Sequence, residues 1–162
     1  MNKIINISLL LGFIIFTGCL ERPHGQMVTY SPSLPLPNSN TIVKEATKHL
    51  GKPYKYGATG PDKFDCSGFV YAVHKNLGVN IPRTSLNQSQ IEGRKLSRNE
   101  IQIGDLLFFD TSLKGHINHS GIYLGNDKFI HASSGKAFSV TISSLNGWYR
   151  DKFRWGKHIK KP

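Results

Sequence analysis

The sequence predicts an α+β domain in which N-terminal helices pack on an antiparallel β-sheet. In the first half of the domain, apolar residues recur at steps of three and four, as on one face of a helix. In the second half, short apolar runs are separated by turn residues, as in β-strands. The 162 residues, 38% hydrophobic and 19% charged, allow one such domain and exclude a disordered or collagen-like chain.

Residues 1–18 are predicted to be a lipoprotein signal peptide. Lys3 precedes an apolar run that is too short to span a membrane. The run ends in Phe-Thr-Gly-Cys at 16–19, which resembles the bacterial lipobox, in which small residues precede a lipidated cysteine. The alternative is an ordinary signal peptide, with Cys19 as a free thiol or disulfide-bonded to Cys66. We favour lipidation of Cys19, which leaves Cys66 as the only thiol.

Residues 19–40 are predicted to be an extended tether, because they carry four prolines among serines and asparagines and show no sustained apolar period. The protein is therefore expected to be exported and anchored to the membrane through its N-terminal lipid. Leu20 follows the cysteine where an Asp would indicate retention at the inner membrane. We expect the periplasmic side of the outer membrane in a cell that has one.

The remaining residues, 41–162, are assigned to the folded domain. A first helix is predicted to end at a glycine, a second to follow a Gly-rich loop, and a short third to follow Pro-Arg-Thr. The strands are predicted where the period changes to two. The predicted helices cover 41–50, 66–77 and 85–92, and the predicted strands cover 105–109, 121–124, 128–132 and 139–142.

The charge balance predicts a basic surface. Lys and Arg outnumber Asp and Glu by 21 to 10, and removal of the leader lowers the net charge only from +11 to +10. Such a surface suits polyanions, anionic lipid or carboxylate-bearing substrates. An exported chain without an RNA or DNA motif does not favour nucleic acid. With two cysteines and no CxxC pattern, a structural zinc fold is excluded.

Cys66 is a candidate nucleophile because it opens the second predicted helix. The unpaired N–H groups and the positive dipole end of a helix N-terminus favour a thiolate, so we expect a lowered thiol pKa. Polar or small residues, Asp65, Ser67 and Gly68, flank the cysteine. The alternative is a buried, inert structural cysteine.

His119 and His131 are candidates for the general base and the residue that orients it. They flank a hairpin signal at 125–127, which brings them within a step or two of opposite each other. The sequence alone does not decide which of the two is the base. The alternatives are that they are structural histidines, or that His116 and His119 form a weak metal-binding pair. We predict no metal, and we place His49 and His74 on solvent-facing sides of helices.

Six segments, in this order and spacing, resemble the NlpC family of cell-wall cysteine peptidases over about residues 41–155. The segments are Gly51-Lys52-Pro53-Tyr54-Lys55-Tyr56-Gly57, Phe64-Asp65-Cys66-Ser67-Gly68-Phe69-Val70, Pro82-Arg83-Thr84-Ser85, Gly104-Asp105-Leu106-Leu107-Phe108-Phe109, His119-Ser120-Gly121-Ile122-Tyr123-Leu124-Gly125 and Phe129-Ile130-His131-Ala132.

The resemblance implies a papain-like fold with Cys66 as nucleophile, His119 as base and His131 as the third, orienting residue. It implies hydrolysis of peptidoglycan stem peptides, at the bond between D-γ-glutamate and a diamino acid or at a cross-link. The lipobox resembles that of the lipoprotein murein endopeptidases in this family. Two positions depart from the family pattern: Ala58 replaces a common glycine, and Ser120 replaces the usual valine.

Four residues are predicted to contact the substrate. Tyr54 matches a family tyrosine on the substrate side of the site, and Asp65 and Ser67 flank the nucleophile. The guanidinium of Arg83 is able to pair with a stem-peptide carboxylate, although a structural arginine bonded to loop carbonyls is an equal alternative. We expect a monomer that needs no cofactor. Other functions remain open: an amidase or acyltransferase on other amides or esters, or a catalytically idle wall-binding module.

Overall fold

The computed structural model describes residues 39–159. The predicted leader, and the predicted tether up to residue 38, lie outside the described residues. Three helices are followed by five strands, in agreement with the predicted α+β class. The elements are α1 (Ser39–Thr47), α2 (Cys66–Asn76), α3 (Ser85–Ser89), β1 (Leu106–Phe109), β2 (His119–Gly125), β3 (Lys128–Ala132), β4 (Val140–Ser144) and β5 (Phe153–Lys157).

The five strands form one antiparallel sheet in the order β4-β3-β2-β1-β5. The predicted hairpin joins β2 to β3, and Asn126 and Asp127 both adopt positive φ in its turn. In its register, Ile122 pairs with Ile130. His131 therefore lies opposite Gly121, two residues from His119 along β2. A Cβ on Gly121 would lie 3.2 Å from the Cβ of His131, so the glycine leaves room for that side chain.

The sheet is buried on both faces, which explains the uninterrupted apolar run of β1. Leu106 and Phe108 join the core under α2, which also contains Phe69 and Val73. Leu107 and Phe109 alternate to the opposite face, where they pack with a second buried group of Phe129 and Leu145, joined by Tyr149 and Phe153. Strand β1 thus contributes side chains to both buried groups, and all four of its side chains are buried.

The structure corrects several predictions. Helix α1 begins at Ser39, before the predicted start at 41, and gives way at Thr47 to tight turns. Helix α3 ends at 89 rather than 92. Strand β5 was not predicted, because Arg, Gly and Lys interrupt the apolar pattern of Phe-Arg-Trp-Gly-Lys, and its partners, β1 and the bridge residue Leu96, are distant in the sequence. Among residues 39–159, no helix is long and apolar enough to cross a membrane.

Candidate active site

Cys66 is the first residue of α2, as predicted. Asp65 caps the helix: its backbone is extended (φ −94°, ψ 177°), and its Oδ1 accepts the Gly68 N–H at 2.6 Å. The half-buried Cys66 side chain places its Sγ 3.7 Å from Ser85 Oγ and 3.9 Å from the carbonyl oxygen of Asn118. The N-cap therefore fixes the position at which the thiol enters the site.

Gly68 lets the first turn of α2 lie directly against the preceding loop. A Cβ at this position would lie 2.1 Å from the carbonyl oxygen of Ala58, a backbone atom that is held in place because it accepts the Asp65 N–H at 3.0 Å. The glycine after Cys-Ser is thus required by a close backbone approach. Replacing it would displace the helix start and the thiol together.

His119 and His131 form a directly bonded pair, which confirms their predicted proximity. His119 Nε2 lies 2.8 Å from His131 Nδ1, and His131 Nε2 lies 2.9 Å from Ser143 Oγ. The residues on both sides of His119 contact Cys66: Asn118 through its carbonyl and Ser120 through its backbone N–H. The start of β2, which carries His119, therefore passes beside the thiol.

Aromatic side chains enclose the two imidazoles. Tyr149 stacks on His119 with ring centroids 5.9 Å apart, and Phe129 stacks on His131 at 4.7 Å. Phe109 packs against the His119 ring at 5.8 Å. His131 is fully buried and His119 nearly so. This packing holds both rings in fixed orientations, as a base and its orienting partner require.

The surroundings of the site favour neutral groups. Burial lowers the pKa of His119 to about 4, and burial together with the nearby His119 holds the pKa of His131 well below its ordinary value. Burial, and then the Asp65 carboxylate, raise the pKa of the Cys66 thiol. The expected lowering of the thiol pKa is therefore wrong, because desolvation outweighs the favourable helix N-terminus. These shifts favour the neutral thiol and the neutral imidazole over an ion pair.

Asp65 and Arg83 form a structural pair beside the nucleophile. Arg83 donates from Nη2 to Asp65 Oδ2 at 2.6 Å and from Nη1 to Oδ1 at 3.0 Å, and Nη1 also donates to Ser67 Oγ at 2.9 Å. Asp65 Oδ2 additionally accepts the Gly57 N–H at 2.8 Å. These bonds occupy the guanidinium with a protein carboxylate. Substrate contacts of Asp65, Ser67 and Arg83 stay predictions, and a substrate carboxylate would have to compete with Asp65 for Arg83.

Tyr54 and a cleft both border the site. Tyr54 packs on Phe138 with centroids 5.5 Å apart, and burial, Cys66 and Asp65 raise its pKa, which places it near the thiol. A cleft of about 840 Å³ opens beside His119, and its wall includes Ser143, Tyr149, exposed Trp148 and exposed Lys136. Substrate-sized space is thus available next to the base.

Other sequence expectations have mixed outcomes. His49 and His74 are buried in the core rather than solvent-facing, and His74 Nδ1 lies 2.8 Å from the Val70 carbonyl. Within residues 39–159, no group of three or more His, Cys, Asp or Glu side chains is arranged to hold a metal ion.

Sequence reasoning also missed Ser143 and Tyr149. Their only signal was a position after the hairpin, which does not indicate contact with a histidine.

The sequence profile of the NlpC/P60 family matches residues 51–158. The chain is 46% identical over 118 residues to the probable endopeptidase p60 of Listeria seeligeri, covering 73% of this chain and 20% of that protein. It is 38% identical over 116 residues to the murein DD-endopeptidase MepH of Escherichia coli, covering 69% and 43%. It is 33% identical over 128 residues to a gamma-D-glutamyl-L-lysine dipeptidyl-peptidase of Bacillus cereus, covering 78% and 38%.

Solved structures agree with this similarity. The crystal structure of an NlpC/P60 family protein from Bacillus cereus superimposes with a TM-score of 0.71 at 32% identity, covering 76% of this chain and 41% of that one. The aligned region spans less than half the length of each of the three relatives. The similarity therefore concerns one domain of larger proteins.

Proposed function

The chain belongs to the NlpC/P60 family, and on this premise we propose that it is a cysteine peptidase that hydrolyses amide bonds in peptidoglycan stem peptides. The observation that carries the proposal is the junction of α2 with β2. There, Cys66 is held against the residues that flank His119, and His119 is bonded to His131. A thiol, a base and an orienting partner are the parts that amide hydrolysis by a cysteine nucleophile needs.

In the proposed mechanism, Cys66 Sγ attacks the scissile carbonyl carbon while the thiol proton passes to His119. Backbone N–H groups at the start of α2 stabilise the oxyanion. His119 then gives its proton to the leaving amine, the C–N bond breaks, and a thioester to Cys66 remains. His119 next removes a proton from water, and the water oxygen attacks the thioester carbon. The C–S bond breaks, the carboxylic acid product leaves, and His119 returns the proton to the sulfur.

The role of His131 follows from the hydrogen-bond geometry. For His119 to serve as base through Nδ1, its Nε2 must carry a hydrogen and donate it to His131 Nδ1, 2.8 Å away. His131 then carries its own hydrogen on Nε2 and donates it to Ser143 Oγ. This order of donors is the one that the proposed roles, His119 as base and His131 as the positioning residue, require.

The bond we propose is the amide between D-γ-glutamate and the diamino acid, with a cross-link bond as the alternative. The printed names of the relatives include both a gamma-D-glutamyl-L-lysine peptidase and a murein DD-endopeptidase. Digestion of purified muropeptides, followed by mass spectrometry, distinguishes the two bonds by the masses of the products. We expect a product ending in D-γ-glutamate from the wild-type chain and none from Cys66→Ala.

Three results would contradict the peptidase proposal. Cleavage only of unrelated amides or esters would indicate an amidase or acyltransferase. Equal binding of wild type and Cys66→Ala to cell walls, with no product from either, would indicate a wall-binding module. Inactivation of the wild type by EDTA would point to metal-dependent chemistry.

We further propose that Cys19 carries a lipid that tethers the domain to the membrane, on the support of the Phe-Thr-Gly-Cys sequence at 16–19. Cys19→Ala should release the protein from the membrane fraction or block removal of the leader. Cys66→Ala is the matched control and should stay with the membrane. Normal processing and fractionation of Cys19→Ala would contradict the anchor.

A further inference from the structure

A buried chain of polar side chains runs away from the nucleophile. Cys66 Sγ lies 3.7 Å from Ser85 Oγ, which lies 3.1 Å from Ser120 Oγ. Ser120 Oγ in turn lies 2.9 Å from Oε1 of Gln88. Ser120 and Gln88 are fully buried, and Ser85 is 5% exposed. Because solvent does not reach these groups, each hydrogen must be accounted for within the chain.

Gln88 fixes the direction of this chain. Its Nε2 lies 3.0 Å from the carbonyl oxygen of Ser67 and 2.9 Å from that of Pro82. Only the NH₂ end of the amide can satisfy two carbonyl acceptors, because the flipped amide would bring oxygen against oxygen. Oε1 therefore points at Ser120 and can only accept.

The orientation of Gln88 then determines the donor and the acceptor of each bond in the chain. Ser120 has one hydroxyl hydrogen and gives it to Gln88, so Ser120 can only accept from Ser85. Ser85 gives its single hydrogen to Ser120, so it can only accept from the Cys66 S–H. The second oxygen beside the sulfur, the Asn118 carbonyl, is also only an acceptor. The thiol has one hydrogen to give to these two acceptors, and both oxygens repel a thiolate, so they favour the protonated sulfur.

We propose that this directed hydrogen-bond chain, from Cys66 through Ser85 and Ser120 to Gln88, holds the nucleophile as a protonated thiol in the resting site. Ser85, Ser120 and Gln88 are then positioning residues that act through Cys66. Ser120 is the residue at which the sequence departs from the valine usual in the family. A valine there would leave the Ser85 hydrogen free to point at the sulfur.

Other groups also act on the Cys66 sulfur, and the substitutions proposed below do not alter them. The backbone N–H groups of Ser67 and Ser120 donate to it and favour a thiolate, and a Ser85 hydroxyl that donated to the sulfur would also lower the thiol pKa. The bonds from Ser85 to Ser120 and from Ser120 to Gln88 use the Ser85 hydrogen elsewhere, so Ser85 does not act in this way. The side chains whose charges reach it, or that adjoin it in the site, are Asp65, Arg83, Tyr54, Tyr149 and His119. Substitutions at Ser85 and Ser120 leave all of these in place, so a changed thiol titration reports on the hydroxyls.

The test is the pH profile of iodoacetamide alkylation at Cys66 in the full-length chain, followed by mass spectrometry of the peptide that contains Cys66. Ser120→Val should lower the apparent pKa of alkylation by about one unit, since one hydrogen bond changes from accepting to donating. Ser120→Thr has the same shape as valine but keeps the hydroxyl, and it should retain the wild-type profile. An unchanged profile in a folded Ser120→Val would overturn the proposal.

Ser85→Ala provides a second variant whose sign alone decides the direction. If Ser85 accepts from the thiol, its loss removes support from the protonated form and the apparent pKa falls. If Ser85 donates to the sulfur, its loss raises the apparent pKa, and that result would refute the chain direction even if Ser120→Val fails to fold.

The biological meaning of this inference rests on the proposed nucleophilic role of Cys66, but the alkylation profile needs no turnover. A wild-type chain that cleaves no muropeptide, yet shows the predicted shifts, would refute the proposed function and leave the chain direction standing. Product formation together with pKa shifts of the opposite sign would support the proposed function and refute the direction of the hydrogen-bond chain.

Discussion

Replacing Asp65 by alanine tests whether one carboxylate organises the entrance of the site. The carboxylate caps α2 through the Gly68 N–H, accepts the Gly57 N–H and holds both terminal nitrogens of Arg83. An N-cap contributes about 1 kcal/mol, and a charge-assisted bond to Arg83 about 1.5 kcal/mol after discounting, because that side chain is 34% exposed. With the Gly57 N–H left unpaired, the expected loss is about 3 kcal/mol.

The assay is urea unfolding of Asp65→Ala against wild type, with thermal unfolding as a second readout. For a domain of this size, about 3 kcal/mol corresponds to a Tm lower by roughly 10 °C. Asp62→Ala is the matched control, because Asp62 is an exposed carboxylate in the same loop and should change stability by less than about 0.5 kcal/mol. A loss below about 1 kcal/mol in a folded Asp65→Ala would refute the reasoning.

Three further predictions concern the site. Arg83→Lys should cost about 1 to 2 kcal/mol in urea unfolding, because an ammonium cannot span both Asp65 oxygens; an unchanged KM for muropeptides would contradict a substrate contact of Arg83. His119 alone should lower stability by about 3 kcal/mol between pH 6.5 and 4, because the unfolded side chain binds a proton that the folded side chain, with its pKa lowered to about 4, does not bind. His131, whose pKa is also lowered, adds to the fall. His119→Gln should make the slope shallower, while exposed His116→Gln should keep it; equal slopes would contradict the assignment. His119→Ala should abolish turnover, and His131→Asn should retain more kcat than His131→Ala, because an amide oxygen can accept from His119; equal loss in both His131 variants would contradict the positioning role.

Local patterns predicted the parts of the fold that depend on neighbouring residues. The apolar period and the polar residue before Cys66 place the start of α2 correctly, because an N-cap is a local interaction. The hairpin signal at 125–127 places His119 and His131 together, because turn geometry sets the register of the flanking strands.

The features that depend on distant parts of the chain were not predicted. Arg83 meets a carboxylate 18 residues earlier, so its structural pairing is visible only in the folded chain. Strand β5 forms because β1 offers an unpaired edge, despite the Arg, Gly and Lys in its sequence. The raised pKa of Cys66 reflects burial by the assembled domain, whereas the sequence shows only the favourable helix start.

The central claim, that Cys66 is the nucleophile of a covalent mechanism, is tested most directly by trapping the acyl-enzyme. Wild-type protein is mixed with muropeptide, quenched in acid within the first turnovers and digested for mass spectrometry. We predict that the peptide containing Cys66 gains the mass of the acyl half of the substrate as a thioester, and that no adduct forms in Cys66→Ala or His119→Ala. Product release without an adduct on Cys66, at equal rates in wild type and Cys66→Ala, would contradict the account.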